Sequence, residues 1–253
     1  MARLIVVPHA RAVAEAAADR VVAILGGAVE SRGAAHLALT GGSTAGALYD
    51  ALREPARRAA LDWRLVEVWW GDERLVPSGD ARSNVRGAAA ILDVEGGLGF
   101  DARRIHPFPI DEATELGNDA AWVAVTYAAR LRERLPADDG LPVFDLVLLG
   151  MGPDGHILSV FPDSPALAAD APLVVDVPAP SHVEPYVARV TLNPRLVAAA
   201  RAVLVMVTGG AKAAAVAEVL DGQLDVTRLP AQLARGSNAT WIIDRAAAGR
   251  PSS

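Results

Sequence analysis

A side-chain pair suited to acid–base chemistry lies in a glycine-rich loop. Residues 150–156 (GMGPDGH) directly follow an apolar run at 146–149. An aspartate two residues before a histidine is well placed to orient the imidazole ring, and a neutral imidazole can act as a general base near neutral pH. A lone histidine is more often structural, and that alternative stays open. We favour acid–base chemistry by His156 with Asp154, because the pair follows a predicted strand.

The chain contains a single lysine. Of its 24 basic residues, 23 are arginine and one is Lys212. The segment TGGAK at 208–212 follows an apolar run at 203–207 and leads into a predicted helix at 211–220. Lys212 therefore lies in the first turn of that helix. A cation in the first turn of a helix opposes the helix dipole, so this position is easier to explain if an anion binds there. The alternative is a lysine that stands by chance on a helix surface.

A second glycine-rich turn, GGST, separates another apolar run from a predicted helix at 45–52. Its glycines let a ligand approach the backbone, and its hydroxyls lie beside the free N–H groups of a helix start, which suits a phosphate. The turn lacks the spacing of a P-loop or of a dinucleotide fingerprint, and an ordinary capped turn is the alternative. The candidate phosphate-binding residues are Gly41, Gly42, Ser43 and Thr44.

A charged segment follows a third apolar run. Residues 72–74 (DER) come directly after it and a glycine, and Ser83 and Asn84 open the next predicted helix. Side chains of an extended segment alternate in direction, so Asp72 and Arg74 can face one ligand while the glutamate between them points away. An ordinary charged loop, whose serine or asparagine caps the helix, is the alternative.

These loops need a scaffold that brings them together. Short β-rich runs predict strands at 4–7, 36–39, 66–70, 146–149, 203–207 and 241–243. Alanine-rich stretches with helical spacing lie between several of them, at 10–25, 120–135 and 211–220. This alternation predicts an α/β fold: a doubly wound, mostly parallel, Rossmann-like sheet with helices on both faces, in one domain over 1–253. Ligands of such sheets bind at the carboxyl ends of the strands, where all four loops begin.

Composition limits the partners and the compartment. The 253 residues carry 24 Lys and Arg against 30 Asp and Glu, a net charge of −6, which argues against nucleic-acid binding because that needs a basic face. The first apolar stretch is too short for a signal peptide, and no stretch approaches the roughly 20 residues of a membrane span. We expect a cytoplasmic protein that binds neither nucleic acid nor membrane, with a frayed tail at 250–253.

Several common catalytic sites are excluded. The chain has no cysteine, so no disulfide, thiolate metal site or cysteine nucleophile can form. HExxH spacing is missing, and so is the GxSxG elbow, because Ser43 stands second in GSTAG. What remains is Asp and His chemistry on a small anionic ligand held by Arg, Lys and backbone N–H groups, without metal or cofactor.

Five segments, in order over nearly the whole chain, resemble the 6-phosphogluconolactonase family. They are GGST at 41–44, DER at 72–74 with the VP and SN pairs after it, GMGPDGH at 150–156 with SVFP after it, RVTL at 189–192 and GGAKA at 209–213. The resemblance implies a lactonase that hydrolyses 6-phospho-D-glucono-1,5-lactone to 6-phosphogluconate in the oxidative pentose phosphate pathway.

The sister family of glucosamine-6-phosphate deaminases shares this framework and differs at two positions. The deaminase pattern resembles DGHIAFNEP, whose glutamate assists opening of the sugar ring, and this chain has Phe161 in its place. Deaminases also tend to carry tyrosine where this chain has Arg74. Phenylalanine cannot transfer a proton, so both differences favour lactone hydrolysis, with a deaminase or isomerase as the alternative.

The resemblance and the loops together suggest roles. His156 would activate water, Asp154 would fix its tautomer, and Arg74 would either steady the developing oxyanion or bind the phosphate. Asp72 and Asn84 would bind sugar hydroxyls or order Arg74. The other expected substrate-binding residues are Gly41, Gly42, Ser43, Thr44, Gly152, Arg189 and Lys212.

The phosphate is expected on Lys212 and the N–H groups of residues 42–44, with Arg189 as a second cation near it. Three departures from the family pattern leave these positions intact. They are Ala45 in place of a common proline, Asp80 in place of a common histidine, and Ile157-Leu158 in place of Thr-Ala.

A non-catalytic sugar-phosphate sensor is the alternative from another class, because related folds serve as effector domains of regulators. Such a regulator needs a DNA-binding segment, and since the first predicted strand begins at Leu4 we expect none. We expect a monomer or weak homo-oligomer whose ligand is a phosphorylated sugar lactone.

Overall fold

A computed structural model describes residues 1–93 and 95–250. Its strands are β1 (Arg3–Val7), β2 (Ala35–Leu39), β3 (Val66–Trp70), β4 (Asp72–Arg74), β5 (Ile105–His106), β6 (Ala137–Asp138), β7 (Leu141–Pro142), β8 (Leu146–Gly150), β9 (Val174–Val177), β10 (Arg189–Leu192), β11 (Val203–Val207) and β12 (Ala239–Asp244). Apart from its first residue, the predicted tail at 250–253 lies outside the described residues.

The α-helices are α1 (Ala10–Arg32), α2 (Ser43–Leu52), α3 (Pro55–Ala59), α4 (Asn84–Gly87), α5 (Ala89–Leu92), α6 (Ile110–Leu116), α7 (Ala120–Arg134), α8 (Pro194–Ala199) and α9 (Ala213–Asp221). Short 3₁₀ turns occupy Trp63–Leu65, Ala102–Arg104, Pro165–Leu167, Gly210–Lys212 and Pro230–Ala234. None of the helices in the described ranges is both long enough and apolar enough to cross a membrane.

Seven strands of the described chain form one sheet in the order β1-β12-β11-β8-β2-β3-β5, and all neighbours are parallel. The chain advances in one direction from β1 through β2 and β3 to β5, and then returns through β8 and β11 to β12. Because parallel crossovers are right-handed, the two directions place their helices on opposite faces. The predicted doubly wound α/β fold is confirmed.

The two directions separate between β2 and β8, which are neighbours near the middle of the sheet. At such a switch point the loops that leave the carboxyl ends diverge to opposite faces and open a crevice. β11 flanks β8 on its other side. The predicted loops at 41–44, 150–156 and 208–212 therefore leave three adjacent strands at the crevice.

Helices on both faces explain the apolar central strands. β11 (VLVMV) is buried at every residue, whereas the edge strand β1 is only partly covered. The first helix is longer than predicted: α1 passes the glycine pair after Leu25, buries Ala28, and ends at Gly33 with a φ of 78°. Packing of the helix on the sheet outweighs the low helix propensity of two glycines.

A three-stranded antiparallel sheet, β4-β10-β9, stands beside the central sheet. In its register Arg189 pairs with Arg74, and Thr191 pairs with Asp72. Gly71 joins the two sheets, since its N–H donates to Leu39 and its carbonyl accepts from Leu192. This small sheet fixes two charged segments that lie far apart in the sequence.

Candidate active site

One cleft at the carboxyl edge of the central sheet, with a volume of about 200 Å³, collects the four predicted loops. Of the twelve candidate residues, all within the described ranges, eleven line it: Gly41, Gly42, Ser43, Thr44, Asp72, Arg74, Asn84, Gly152, His156, Arg189 and Lys212. The twelfth, Asp154, contacts His156. The lining residues that were not among the candidates are Thr40, Ala45, Gly150, Met151, Leu158 and Met206.

His156 is held by the loop that carries it. Its Nδ1 lies 2.5 Å from Oδ1 of Asp154, and its peptide N–H donates to the same oxygen at 3.2 Å. An imidazole that donates its Nδ1 proton keeps its lone pair on Nε2. The aspartate two residues earlier therefore orients the ring as the sequence spacing suggests.

Asp154 has a second histidine partner that the motif did not indicate. Nε2 of His182 lies 2.9 Å from Oδ2 of Asp154. Burial raises the pKa of Asp154, but the hydrogen bonds from both histidines and the electrostatic interaction with His156 outweigh this and hold its pKa well below the usual range. Asp154 is therefore ionised at physiological pH and serves as an acceptor.

Phe161 packs against three polar side chains at this end of the site. Its ring centroid lies 4.7 Å from that of His156 and 5.7 Å from that of His182, and the Arg189 guanidinium lies 5.4 Å above it. We call Asp154, His156, Phe161, His182 and Arg189 the His156 cluster. A buried phenyl ring thus fills the place of the deaminase-like glutamate.

A glycine is required at position 152 because the side chains of Asp154 and His156 lie close to its Cα. A Cβ at this position would lie 2.1 Å from Nδ1 of His156 and 2.6 Å from Oδ1 of Asp154. No side chain fits there without moving the imidazole. Gly152, which we expected to bind substrate, lines the cleft. Because it has no side chain, it also leaves space for the His156 ring.

The charged side chains of strand β4 point alternately to its two sides, as predicted for an extended segment. Asp72 and Arg74 line the cleft, and Glu73 points to the other side, into a separate cavity. There the Glu73 carboxylate accepts from the N–H groups of Arg74, Asn84 and Val85 and from the Ser83 hydroxyl, while its burial raises its pKa. Glu73 thereby connects β4 to the start of α4.

Asp72 is fixed by two partners from distant segments. Its Oδ2 accepts from the Ser159 hydroxyl at 2.6 Å, and Nδ2 of Asn84 donates to its carbonyl at 2.9 Å. Arg74 is held separately, because its Nη1 donates to the carbonyl of Arg82, at 2.6 Å. The salt bridge of Arg82 with Asp80 gives the departure at position 80 a local structural role.

Three buried polar atoms of the cleft side chains have no hydrogen-bond partner within the described residues. They are Nε of Arg74, Oδ1 of Asn84 and Nε of Arg189. Buried polar atoms are normally paired, so two donors and one acceptor in one cleft indicate a ligand that carries both oxygen acceptors and a hydroxyl donor. Burial lowers the pKa of Arg189, but a guanidinium stays charged at neutral pH.

A second group of residues suits an anion, and we call residues 42–44, Thr208, Lys212 and Asp244 the Lys212 cluster. Gly42 precedes α2 with a φ of 94°, a conformation that favours glycine. The hydroxyl of Thr44 lies 3.0 Å from that of Thr208, which joins the loops after β2 and β11. The cluster combines helix-start N–H groups, hydroxyls and one cation.

Asp244 organises the lysine loop. Its carboxylate oxygens both accept from the N–H of Gly209 at 3.1 Å, and Gly209 has a φ of 92°. Burial lowers the pKa of Lys212, and the nearby charge of Asp244 opposes that shift. No sequence motif indicated Asp244, which stands at the end of β12.

Arg189 lines the cleft together with Lys212 and also contacts Phe161 of the His156 cluster, and its expected place near the phosphate stays a prediction. Of the family departures, Ala45 and Leu158 line the cleft, and Leu158 adopts a φ of 55°. The described residues contain no group of three or more His, Asp or Glu side chains that could hold a metal ion.

Comparisons with known proteins identify the family of the chain. The family model described as glucosamine-6-phosphate isomerases/6-phosphogluconolactonase matches residues 8–242. The chain is 36% identical over 241 residues to a 6-phosphogluconolactonase of Streptomyces coelicolor, covering 94% of this chain and 90% of the relative. It is 35% identical over 244 residues to one of Mycobacterium tuberculosis, covering 96% of both.

Solved structures give the same result. A 6-phosphogluconolactonase from Trypanosoma brucei superposes with a TM-score of 0.84 at 28% identity, covering 98% of both chains. A monomeric glucosamine-6-phosphate deaminase shares the fold, with a TM-score of 0.78 at 19% identity, covering 98% of this chain and 100% of the other. The chain therefore belongs to the family of glucosamine-6-phosphate isomerases and 6-phosphogluconolactonases.

Proposed function

We propose that this protein hydrolyses 6-phospho-D-glucono-1,5-lactone to 6-phosphogluconate, the activity named for its relatives in Streptomyces coelicolor and Mycobacterium tuberculosis. The observation that carries the proposal is the combination within one cleft of an aspartate-oriented histidine with a lysine at a helix start. The first group can move a proton, and the second can hold a phosphate.

His156 is the proposed general base. Its Nε2 takes a proton from a water molecule as the water oxygen attacks the lactone carbonyl carbon. When the tetrahedral intermediate collapses, the bond from that carbon to the ring oxygen breaks, and His156 returns the proton to the leaving oxygen. Asp154 stabilises the imidazolium between the two steps. Positioned proton transfer of this kind contributes about 10²–10⁴-fold to the rate.

The developing oxyanion is assigned to Arg74. Its buried Nε has no partner within the described residues. In the β4–β10 register Arg74 pairs with Arg189, which packs on Phe161 beside His156, and this proximity supports the assignment. A guanidinium can donate two N–H groups to an oxyanion.

The substrate phosphate is assigned to the Lys212 cluster, through Lys212 and the N–H groups of residues 42–44. Positive potential concentrated at these helix starts lets a protein with a net charge of −6 bind an anionic sugar. Asp72 and Asn84 are assigned to binding of the sugar hydroxyls. Oδ1 of Asn84 supports this role, because it is buried and has no hydrogen-bond partner within the described residues.

Phe161 disfavours the deaminase alternative. Ring opening of an amino-sugar phosphate needs a proton donor in the place that this phenyl ring fills, 4.7 Å from the His156 ring. A phenyl group has no proton to transfer. Release of ammonia from glucosamine 6-phosphate is therefore expected to be absent.

The test is a rapid assay of lactone disappearance with and without the protein, because such lactones also hydrolyse unaided. Acceleration of the phosphorylated lactone over the unphosphorylated one is the expected result. No acceleration over the spontaneous rate would refute the lactonase proposal, and ammonia release from glucosamine 6-phosphate would favour the deaminase.

We also propose that residues 1–253 form one domain and that the protein is a cytoplasmic monomer or weak homo-oligomer. Buried residues from α1 to β12 form one continuous core, which supports the single domain. Sedimentation across a range of protein concentrations tests the oligomeric state.

A further inference from the structure

We propose that His182 is a positioning residue that acts through Asp154 to hold His156 in the orientation and tautomer needed for proton transfer. The inference deepens the proposed function and rests on it, since it takes His156 as the base. His182 comes from the loop between β9 and β10, 28 residues after Asp154 in the sequence.

The carboxylate of Asp154 bridges two imidazoles. Oδ1 accepts from Nδ1 of His156 at 2.5 Å, and Oδ2 accepts from Nε2 of His182 at 2.9 Å. A carboxylate held at one oxygen can still rotate about its side-chain torsion, which is broad and roughly two-fold. With a donor on each oxygen the carboxylate plane is fixed, and so is the direction in which it presents Oδ1 to His156.

The His182 ring is itself held in place. Its edge meets the face of Phe161 at 5.7 Å between centroids, and the same phenyl ring contacts His156. The loop is tied down where it ends, because Nη2 of Arg189 donates to the carbonyl of Pro185 at 3.0 Å. The two histidines are therefore joined both through Asp154 and through Phe161.

The solvent exposure of the His182 side chain argues against a purely structural role. Its side chain is 51% exposed, whereas those of Asp154 and His156 are only 19% and 15% exposed. Removing a half-exposed ring leaves no cavity in the core, so its loss should spare the fold. The hydrogen bond of His182 is one of the interactions that keep Asp154 ionised, which is the state that can accept from both rings.

Three variants of His182 separate the hydrogen bond from the ring contact. His182→Ala removes both, His182→Phe keeps an aromatic ring without an N–H group, and His182→Gln keeps an N–H donor without the ring. Ser181→Ala changes an exposed neighbour on the same loop and serves as the control.

We expect kcat on the phosphorylated lactone to fall about tenfold in the Ala and Phe variants, a fraction of the 10²–10⁴-fold that a positioned base contributes. KM should change less than about twofold, the Gln variant should recover most of kcat, and Ser181→Ala should match the wild type. Unchanged kcat in His182→Ala, or a Gln variant as slow as the Ala variant, would overturn the proposal.

Nitrogen NMR of ¹⁵N-histidine-labelled protein gives a readout that needs no substrate. His156 should show one tautomer, protonated at Nδ1, in the wild type and in His182→Gln, and a mixture of tautomers in His182→Ala. An unchanged His156 signal in His182→Ala would overturn the proposal even if kcat fell. A wild-type protein without lactonase activity would instead refute the proposed function, and the tautomer measurement would still test the link through Asp154.

Discussion

The His156 cluster and the Lys212 cluster line the same cleft but are built differently. In the His156 cluster the hydrogen-bonding atoms belong to side chains. Asp154 accepts a hydrogen bond from His156 and a second one from His182, so these side chains hold one another in place. In the Lys212 cluster most of the donors are backbone N–H groups and hydroxyls, placed by glycine turns before two helices.

The difference fits the role that we propose for each cluster. A general base needs one tautomer and one direction, so small rotations of the ring are costly. A phosphate carries several equivalent oxygens and accepts from many directions, so a set of N–H groups and one flexible cation can hold it. We therefore expect changes in the His156 cluster to lower kcat, and changes in the Lys212 cluster to raise KM.

The largest effect is expected from His156→Ala. Loss of the base should lower kcat about 10²–10⁴-fold while KM stays close to the wild-type value. The assay is steady-state hydrolysis after subtraction of the spontaneous rate, and thermal unfolding serves to show that the fold is intact. Wild-type turnover in a folded variant would remove His156 from the mechanism.

A smaller but still large loss is expected from Gly152→Ala, because the new Cβ would lie 2.1 Å from Nδ1 of His156 and must displace the ring. A misplaced catalytic group costs up to about 10²-fold, so kcat should fall by about that factor.

Gly150→Ala is the matched control for Gly152→Ala. Gly150 is the last residue of β8, directly before the same loop, and it lines the same cleft, but a Cβ at this position would meet nothing within 4 Å. Equal losses in the two alanine variants would show that the His156 contact is not the cause.

In the other cluster, Lys212→Ala should raise KM and leave kcat within about threefold of the wild type. Hydrogen bonds to charged groups contribute about 1.5–3 kcal/mol, which corresponds to an increase in KM of about 10- to 150-fold. Competitive inhibition by sugar phosphates should weaken by the same factor. Lys212→Arg keeps the charge and should recover part of the affinity. A fall in kcat at unchanged KM would place the lysine at the reacting carbonyl instead.

The same contrast explains how much the sequence could predict. The glycine turns, the lone lysine and the Asp154–His156 pair are local signals within seven residues, and each was placed on the correct strand end. The central strands were also readable, because helices cover them on both faces and leave them continuously apolar.

What the sequence did not indicate are the partners that come from far along the chain. Three hydrogen bonds join such partners: Ser159 with Asp72, His182 with Asp154, and Gly209 with Asp244. Their partners are 87, 28 and 35 residues apart in the sequence. No periodicity or spacing encodes such pairs, since they depend on which strands become neighbours. The pairing of Arg189 with Arg74 is of the same kind, because the β4–β10 register that sets it is a tertiary feature.

A pH-dependent effect is expected from Asp244→Asn. The charge of Asp244 raises the pKa of Lys212 against the lowering effect of burial. Without that charge the pKa of Lys212 falls further, so the lysine loses its proton at a lower pH. KM should therefore begin its alkaline rise at lower pH than in the wild type. Asp221→Asn, at the exposed end of α9, should leave the profile unchanged. An identical profile in Asp244→Asn would show that Lys212 does not titrate with substrate binding.

The smallest effect is expected from Thr208→Val, which removes the hydroxyl that meets Thr44 at 3.0 Å. A neutral hydrogen bond contributes about 1 kcal/mol, so KM should rise no more than about fivefold, with kcat unchanged. Comparison with Thr44→Val and the double variant measures the coupling of the two hydroxyls. Because the bond is lost in either single variant, the double variant should raise KM by less than the product of the single effects. If the increases in KM of the two single variants multiply fully in the double variant, the two loops bind the phosphate independently. The Lys212 cluster would then lack the coupling between side chains that we infer for the His156 cluster.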